Sequence, residues 1–377
     1  MEPIRVTDHP TANDQLLYFT STSLLPDGRI VVISDDTGDP NLVLIDPRTG
    51  ERRLLTDNRD GMLHSYVYFS GHLYRGFGKA SVSLHPASGN IYYIQGREIR
   101  VVDANGGVRV LAEYPDGQVT AFTHVSSDGS RLCVPTTDAR ALDGYTGQYN
   151  IDERVQAENL SSYLRVYDTA TGAELLAECI PRAWITHVQF DPRDSGTILY
   201  NHEWPSDCGI RRMWLYRNGT ITQLRKEGDG RSREDWACHE MWERDGSAII
   251  YHGSYANGPA YIGRIDPITQ AMREIALPAH WKQYGHFTVG KPGVMVSDGY
   301  YIQHGDEAAS GCGEWISLLN VDWNAGSIEW TPLCRSGSSW DSQDSHPHPI
   351  LSADDSAAYF TSDVSGRRAV YRVPTRQ

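Results

Sequence analysis

The chain carries no CxxC pair, no G-x-S-x-G elbow, no basic leader and no long apolar run. Its cysteines, Cys133, Cys179, Cys208, Cys238, Cys312 and Cys334, are scattered. A chain this large needs no disulfide staples, so reduced and mostly buried thiols are expected. Without a nucleophile elbow or an attached hydrolase domain, a peptidase-type reading is disfavoured. The start, Met1-Glu2-Pro3-Ile4-Arg5-Val6-Thr7-Asp8, lacks the charged and apolar parts of a signal peptide. No stretch suits a transmembrane helix, and a cytoplasmic protein with no membrane partner is expected. Basic residues are also short, 34 against 48 acidic, for a formal charge of −14. That balance argues against a nucleic-acid partner. It leaves room for an anionic small ligand, because a local cluster can oppose the global sign.

Phenylalanine is scarce, at 7, whereas tyrosine reaches 21, tryptophan 10 and glycine 35. That mixture suits many short strands joined by tight turns. Turn signals recur at roughly 40–60 residues. They are Pro26-Asp27-Gly28, Pro86-Ala87-Ser88-Gly89, Ser127-Asp128-Gly129, Pro192 to Gly196, Arg244-Asp245-Gly246, Lys291-Pro292-Gly293 and Ala353-Asp354-Asp355. A second signal follows about two strands later, as in Asp46-Pro47-Arg48-Thr49-Gly50 or Asp168-Thr169-Ala170-Thr171-Gly172. About seven units of four antiparallel strands are expected, which defines an all-β, seven-bladed β-propeller within a single domain, 1–377. The last unit is one strand short, so residues 3–7 are expected to complete it and close the ring, removing a bare sheet edge. Residues 138–162 break the rhythm and read as a partly helical insertion over one rim. Residues 304–314 read as a second long connection.

In a propeller, the strand before each first turn signal lines the central channel. His124, His187, His239, His286 and the pair His346/His348 all fall near that phase, although the chain has only 14 histidines. In an extended strand, the alternation of side chains would put His346 and His348 on one face. Pro347 and Pro349 would suit an innermost strand with an open backbone. Two readings stand for each histidine: a channel residue bonded to a neighbouring blade, or a functional group. For His286, His346 and His348, metal ligation leads, with Gln343 able to add an oxygen. His124 and His187 fit hydrogen bonding or substrate contact better. Arg211 and Arg212 follow the run His202-Glu203-Trp204-Pro205. An arginine there would hold a carboxylate bidentately, unless both lie on a surface edge. Lys79, in the equivalent strand of the second unit, is a weaker candidate for that task.

These runs together resemble the oligogalacturonate lyase family, seven-bladed propellers of polysaccharide lyase family 22 that act on short pectin fragments. The likeness is strongest at 202–214, Cys238-His239-Glu240-Met241-Trp242, Met295-Val296-Ser297-Asp298-Gly299, and from Ser339-Trp340-Asp341 through His346-Pro347-His348-Pro349. The chain departs from the family near Asn13-Asp14-Gln15-Leu16 and doubles the arginine. The resemblance implies a divalent metal, typically Mn²⁺, held by His286, His346, His348 and Gln343. It implies His239 as base and Arg212 as carboxylate-binding residue, with Arg211 in reserve. His124, His187, His202 and Lys79 would then contact substrate. The implied activity is β-elimination of 4-linked galacturonides to 4,5-unsaturated uronates. Two alternatives are a lyase for another uronate-containing oligosaccharide and a non-catalytic sugar-binding propeller with a structural metal.

Overall fold

Short β-branched and aromatic runs between the turn signals become strands. The computed structural model describes residues 1–59, 81–142, 148–203, 212–225, 236–255, 258–278, 281–282, 285–301 and 315–376. Lys79, Arg211 and the 304–314 connection lie outside these residues. Among the described residues, seven sheets of four or five strands follow one another along the chain, with a two-stranded pair besides. Their strands pair antiparallel, and each of the seven sheets draws them from one continuous stretch of chain, apart from the closing strand described below. The first sheet contains Asp14–Leu16, Ile30–Ser34, Asn41–Ile45 and Arg52–Leu54. No helix of the described residues is long and apolar enough to cross a membrane.

The chain divides into two compact units. One comprises Met1–Thr20, Pro47–Gly50 and Glu234–Gln377. Three four-stranded sheets form its body. Their innermost strands are Trp236–Trp242, Phe287–Val289 and Ile350–Leu351. Its core joins Val296, Ile316, Leu333, Leu351, Phe360 and Tyr371. The other unit comprises Ser21–Asp46 and Glu51–Arg233. Its sheets include one led by Val82–His85, a five-stranded one containing His124–Val125, and one led by Val188–Asp191. A core of Leu164, Val166, Ile185, Phe190, Ile198 and Tyr200 lies between the last two. The 138–162 insertion is partly helical, with a 3-10 turn at Ala139–Leu142 and an α-helix at Gln148–Ala157.

The missing strand comes from the N-terminus. Ile4–Arg5 pairs antiparallel with Ala369–Pro374, setting Ile4 opposite Arg372 and Arg5 opposite Tyr371. Val6 then donates its N–H to the Val370 carbonyl at 2.8 Å, and the Thr7 hydroxyl accepts the Val370 N–H at 3.0 Å. Ile4 and Arg5 are exposed, so the strand adds backbone pairing more than apolar burial. Its geometry supplies the partner that an edge strand otherwise lacks.

One expectation is corrected. His346 and His348 do not sit on an extended strand, which begins only at Ile350. Residues 341–346 form turns, and His348 adopts φ 44°. Strand alternation therefore does not bring the two imidazoles together. The Pro347 and Pro349 carbonyls are also engaged, by the Thr361 N–H at 2.9 Å and the Thr288 hydroxyl at 2.6 Å. Proline removes a donor but leaves this acceptor.

Deleting residues 1–7 will remove several backbone hydrogen bonds, each worth about 1 kcal/mol net. A loss of about 2–4 kcal/mol is expected in denaturant unfolding. Unchanged stability would show that the closing strand carries no weight.

Candidate metal centre and base

His286 occupies the residue before the inner strand Phe287–Val289, and His348 lies two residues before Ile350–Leu351. His346 follows the turn at 342–345, which is closed by the Ser345 N–H on the Ser342 carbonyl at 2.9 Å. Asp363 ties down the preceding segment by accepting the Ser339 N–H at 2.8 Å and its hydroxyl at 2.5 Å. These supports bring one ligand nitrogen from each of His286, His346 and His348 within 4.8 Å of the others. Nitrogens bound to one transition ion at about 2.1 Å lie roughly 3–4 Å apart. The three imidazoles therefore fit a divalent ion after small side-chain movements. Gln343 is half-buried on the same turn, three residues before His346.

Asp298 organises this cluster and is fully buried. It accepts the His286 N–H at 2.5 Å and the His348 N–H at 3.2 Å. Its other contact, at 3.2 Å, is with His286 Nδ1. An ionised carboxylate can only accept, so Nδ1 carries the proton and Nε2 keeps its lone pair. That is the carboxylate–imidazole arrangement that orients a metal ligand. Burial pushes the Asp298 carboxyl up to about 6, against the opposing pull of the His286 N–H and the nearby His346 and His239. Gly285 gives the carboxylate room: a Cβ there would stand 2.4 Å from Asp298 Oδ1.

Aromatic rings shield the same cluster. The Tyr18 ring lies 5.0 Å from that of His348, and the Phe19 ring lies 5.3 Å from that of His286. Both residues are buried. The Trp340 ring is 4.4 Å from that of His346.

His239 reaches the cluster through a backbone irregularity. Cys238 pairs with His252 and Met241 with Ile250, so one strand advances three residues while its partner advances two. This is a β-bulge, and His239 within it has φ 51°. The bulge re-aims His239, whose Nδ1 lies 2.8 Å from His252 Nε2 and 2.6 Å from the Gly285 carbonyl. A carbonyl cannot donate, so a proton on Nδ1 satisfies it. Neutral His239 then presents an unprotonated Nε2. Its ring lies 4.6 Å from that of His286 and 5.6 Å from that of Phe19.

The second unit holds a different network. Glu203 is buried and pairs with Arg212 at 3.1 Å. It also accepts the Thr186 hydroxyl and, at 2.8 Å, the Asn201 amide. Burial alone would raise the Glu203 carboxyl, but Arg212, His187 and Thr186 together hold it well below the usual carboxylate range. His187 Nδ1 meets the Thr186 hydroxyl at 2.7 Å, and its ring stacks on Phe122 at 4.5 Å. Arg212 is thus an ion-paired guanidinium, and His187 belongs to its surroundings. Burial pushes both His124 and His202 down to about 4. Both are therefore neutral near pH 7 and available for hydrogen bonding. His124 Nδ1 accepts the Phe190 N–H at 3.2 Å.

Asp298 stood in a run quoted for the family likeness but had no assigned role, and Gly285, His252 and the Tyr18-Phe19 pair were not singled out at all. Glu203 was visible beside His202 but had no assigned role. The Ser297-Asp298-Gly299 run resembles an ordinary turn, and only its burial reveals the carboxylate's task. His252 becomes significant once the hairpin register sets it opposite Cys238.

Seven consecutive antiparallel sheets, with a histidine cluster just before the innermost strands of the sixth and seventh, define a seven-bladed β-propeller with a candidate transition-metal centre. A solved oligogalacturonate lyase in complex with manganese shares this fold, with a TM-score of 0.79 at 22% identity, over 99% of this chain and 93% of that one. An oligogalacturonate lyase from Vibrio parahaemolyticus matches with the same values. The sequence model of the family described as oligogalacturonate lyase matches residues 70–376, and the chain belongs to that family. Among curated relatives, the oligogalacturonide lyase of Pectobacterium atrosepticum is 30% identical over 207 residues. The oligogalacturonate lyase of Dickeya dadantii is 29% identical over 198 residues. Each match covers 50% of this chain, and the chain spans about half the length of the curated relatives it matches, 49% in both cases.

Replacing Asp298 by alanine is expected to weaken divalent-ion binding about 10–100-fold, the usual cost of losing a carboxylate behind a ligand histidine. Calorimetric titration with Mn²⁺ reads the change directly. Undiminished affinity would remove Asp298 from the metal centre.

Proposed function

We propose that this protein is a metal-dependent oligogalacturonate lyase that cleaves short 4-linked galacturonides by β-elimination. The observation carrying this reading is the convergence of the His286, His346 and His348 ligand atoms within 4.8 Å, beside His239. His286, His346 and His348 would hold the ion, with Gln343 as an oxygen donor. Manganese is the ion assigned, consistent with the manganese complex of the similar lyase. When bound, a divalent ion supplies a Lewis acid for the uronate carboxylate.

The protein groups account for the remaining chemistry. A uronate C5–H is acidified by its carboxylate once that charge is neutralised. His239 Nε2 takes the C5 proton while the Gly285 carbonyl and His252 hold the opposite edge of the imidazole. The C5–H electron pair becomes the C4–C5 double bond. The C4–O bond breaks, its pair leaves on the glycosidic oxygen, which takes a proton from solvent, and His239 returns the C5 proton to solvent. No water is consumed. Asp298 keeps His286 oriented, and the Tyr18 and Phe19 rings limit competing solvent. Arg212 retains the carboxylate-binding role implied by the family motif, with Arg211 in reserve. His124, His187, His202 and Lys79 remain the proposed substrate contacts. The buried thiols Cys133 and Cys334 fit a cytoplasmic location.

With digalacturonate and Mn²⁺, the protein is expected to generate absorbance from the 4,5-unsaturated uronate. His239→Ala is expected to lower kcat by about 10²–10⁴-fold, the range for loss of a general base. Full activity in that variant would remove His239 from the reaction. Absence of product from galacturonides, with product from another uronate oligomer, would reassign the substrate.

A further inference from the structure

The histidine cluster has a neighbour of different chemistry. Cys238, His239 and His252 each offer one ligand atom, and those atoms lie within 4.8 Å of one another. The hairpin produces this grouping. Cys238 and His252 are direct cross-strand partners, so their side chains share a face. His239 would normally point to the opposite face, but the bulge and its φ of 51° bring its Nδ1 to 2.8 Å from His252 Nε2. Cys238 and His239 are half-buried and His252 is buried.

We propose that Cys238, His239 and His252 form a second cation site, selective for a thiophilic divalent ion such as zinc. A thiolate and two imidazoles are a common zinc ligand set, leaving one position open in a tetrahedral ion. Tetrahedral ligands at about 2.0–2.3 Å lie roughly 3.3–3.8 Å apart, which these side chains reach by small shifts. Binding releases the Cys238 proton to solvent and leaves the sulfur as a thiolate ligand. The two neighbouring sites therefore differ in softness. Three imidazoles and an amide oxygen accept an ion such as manganese, whereas the thiolate favours zinc, cadmium or cobalt.

Occupation has a consequence that rests on the assignment of His239 as base. If the ion takes His239 Nε2, the basic lone pair is lost. If it takes Nδ1, neutral imidazole must carry its proton on Nε2, and that lone pair is again lost. A thiophilic ion would thus inhibit the lyase without displacing the ion held by His286, His346 and His348.

Cobalt titration of the full-length protein tests the site independently of activity. A thiolate-to-cobalt charge-transfer absorption is expected, abolished in Cys238→Ser and retained in His346→Ala. Circular dichroism verifies folding of each variant. His252→Gln supplies a second perturbation and should weaken the cobalt affinity read from the same absorption. No charge-transfer absorption at saturating cobalt, or an unchanged band in Cys238→Ser, would overturn the proposal. In the activity arm, zinc added to the manganese-loaded protein should lower the rate by about tenfold or more, as expected when a general base is masked. Cys238→Ser should resist zinc relative to its own uninhibited rate. A Cys238-dependent band with zinc-insensitive turnover would support the site and remove His239 from the base role. A protein without lyase activity would defeat the functional reading while the cobalt absorption still reports on the site.

Discussion

The candidate centre depends on one buried carboxylate. Asp298 accepts two backbone N–H groups and contacts an imidazole, joining the approach to the sixth sheet with the approach to the seventh. A buried charge is costly unless such partners compensate it. Here the compensation also creates order: the carboxylate orients His286 and fixes the backbone of His348 together. Gly285 is the corresponding spatial constraint, because a Cβ there would enter the carboxylate's position.

Left-handed backbone occurs at three residues around the same cluster. His239, Trp340 and His348 have φ of 51°, 60° and 44° in a region that non-glycine residues rarely occupy. His348 also precedes proline, which narrows its choices further. Such positions persist when surrounding contacts hold them, and they concentrate where side chains must be aimed. The bulge at His239 turns a residue that would face away from Cys238 toward His286. The turn before His346 performs a comparable task where no strand is present.

Much of this was legible in the sequence. Recurrent Asp-Gly and Pro-Gly turns exposed the seven-sheet plan, and the short last repeat pointed to a strand from the N-terminus. The phase of His286, His346 and His348 pointed to a cluster whose ligand atoms do lie within 4.8 Å of one another. The reason for the final convergence was less legible: alternation predicted a shared strand face, whereas the structure uses turns and a left-handed residue. Asp298 stood within a run that resembles the family, but nothing local separated its role from that of the other acidic residues. Its importance comes from burial between distant segments. Tyr18 and Phe19 likewise acquire meaning from packing, and His252 from a register interrupted by a bulge. Local propensity reveals repeats well but does not determine which side chains meet across them.

The central claim is that His286, His346 and His348 bind one ion together. Pulsed electron paramagnetic resonance of the Mn²⁺-loaded protein, with nitrogen-15 in its histidines, tests this directly. The account predicts three histidine nitrogen couplings to a single Mn²⁺ ion. A bound ion without histidine nitrogen coupling would contradict it.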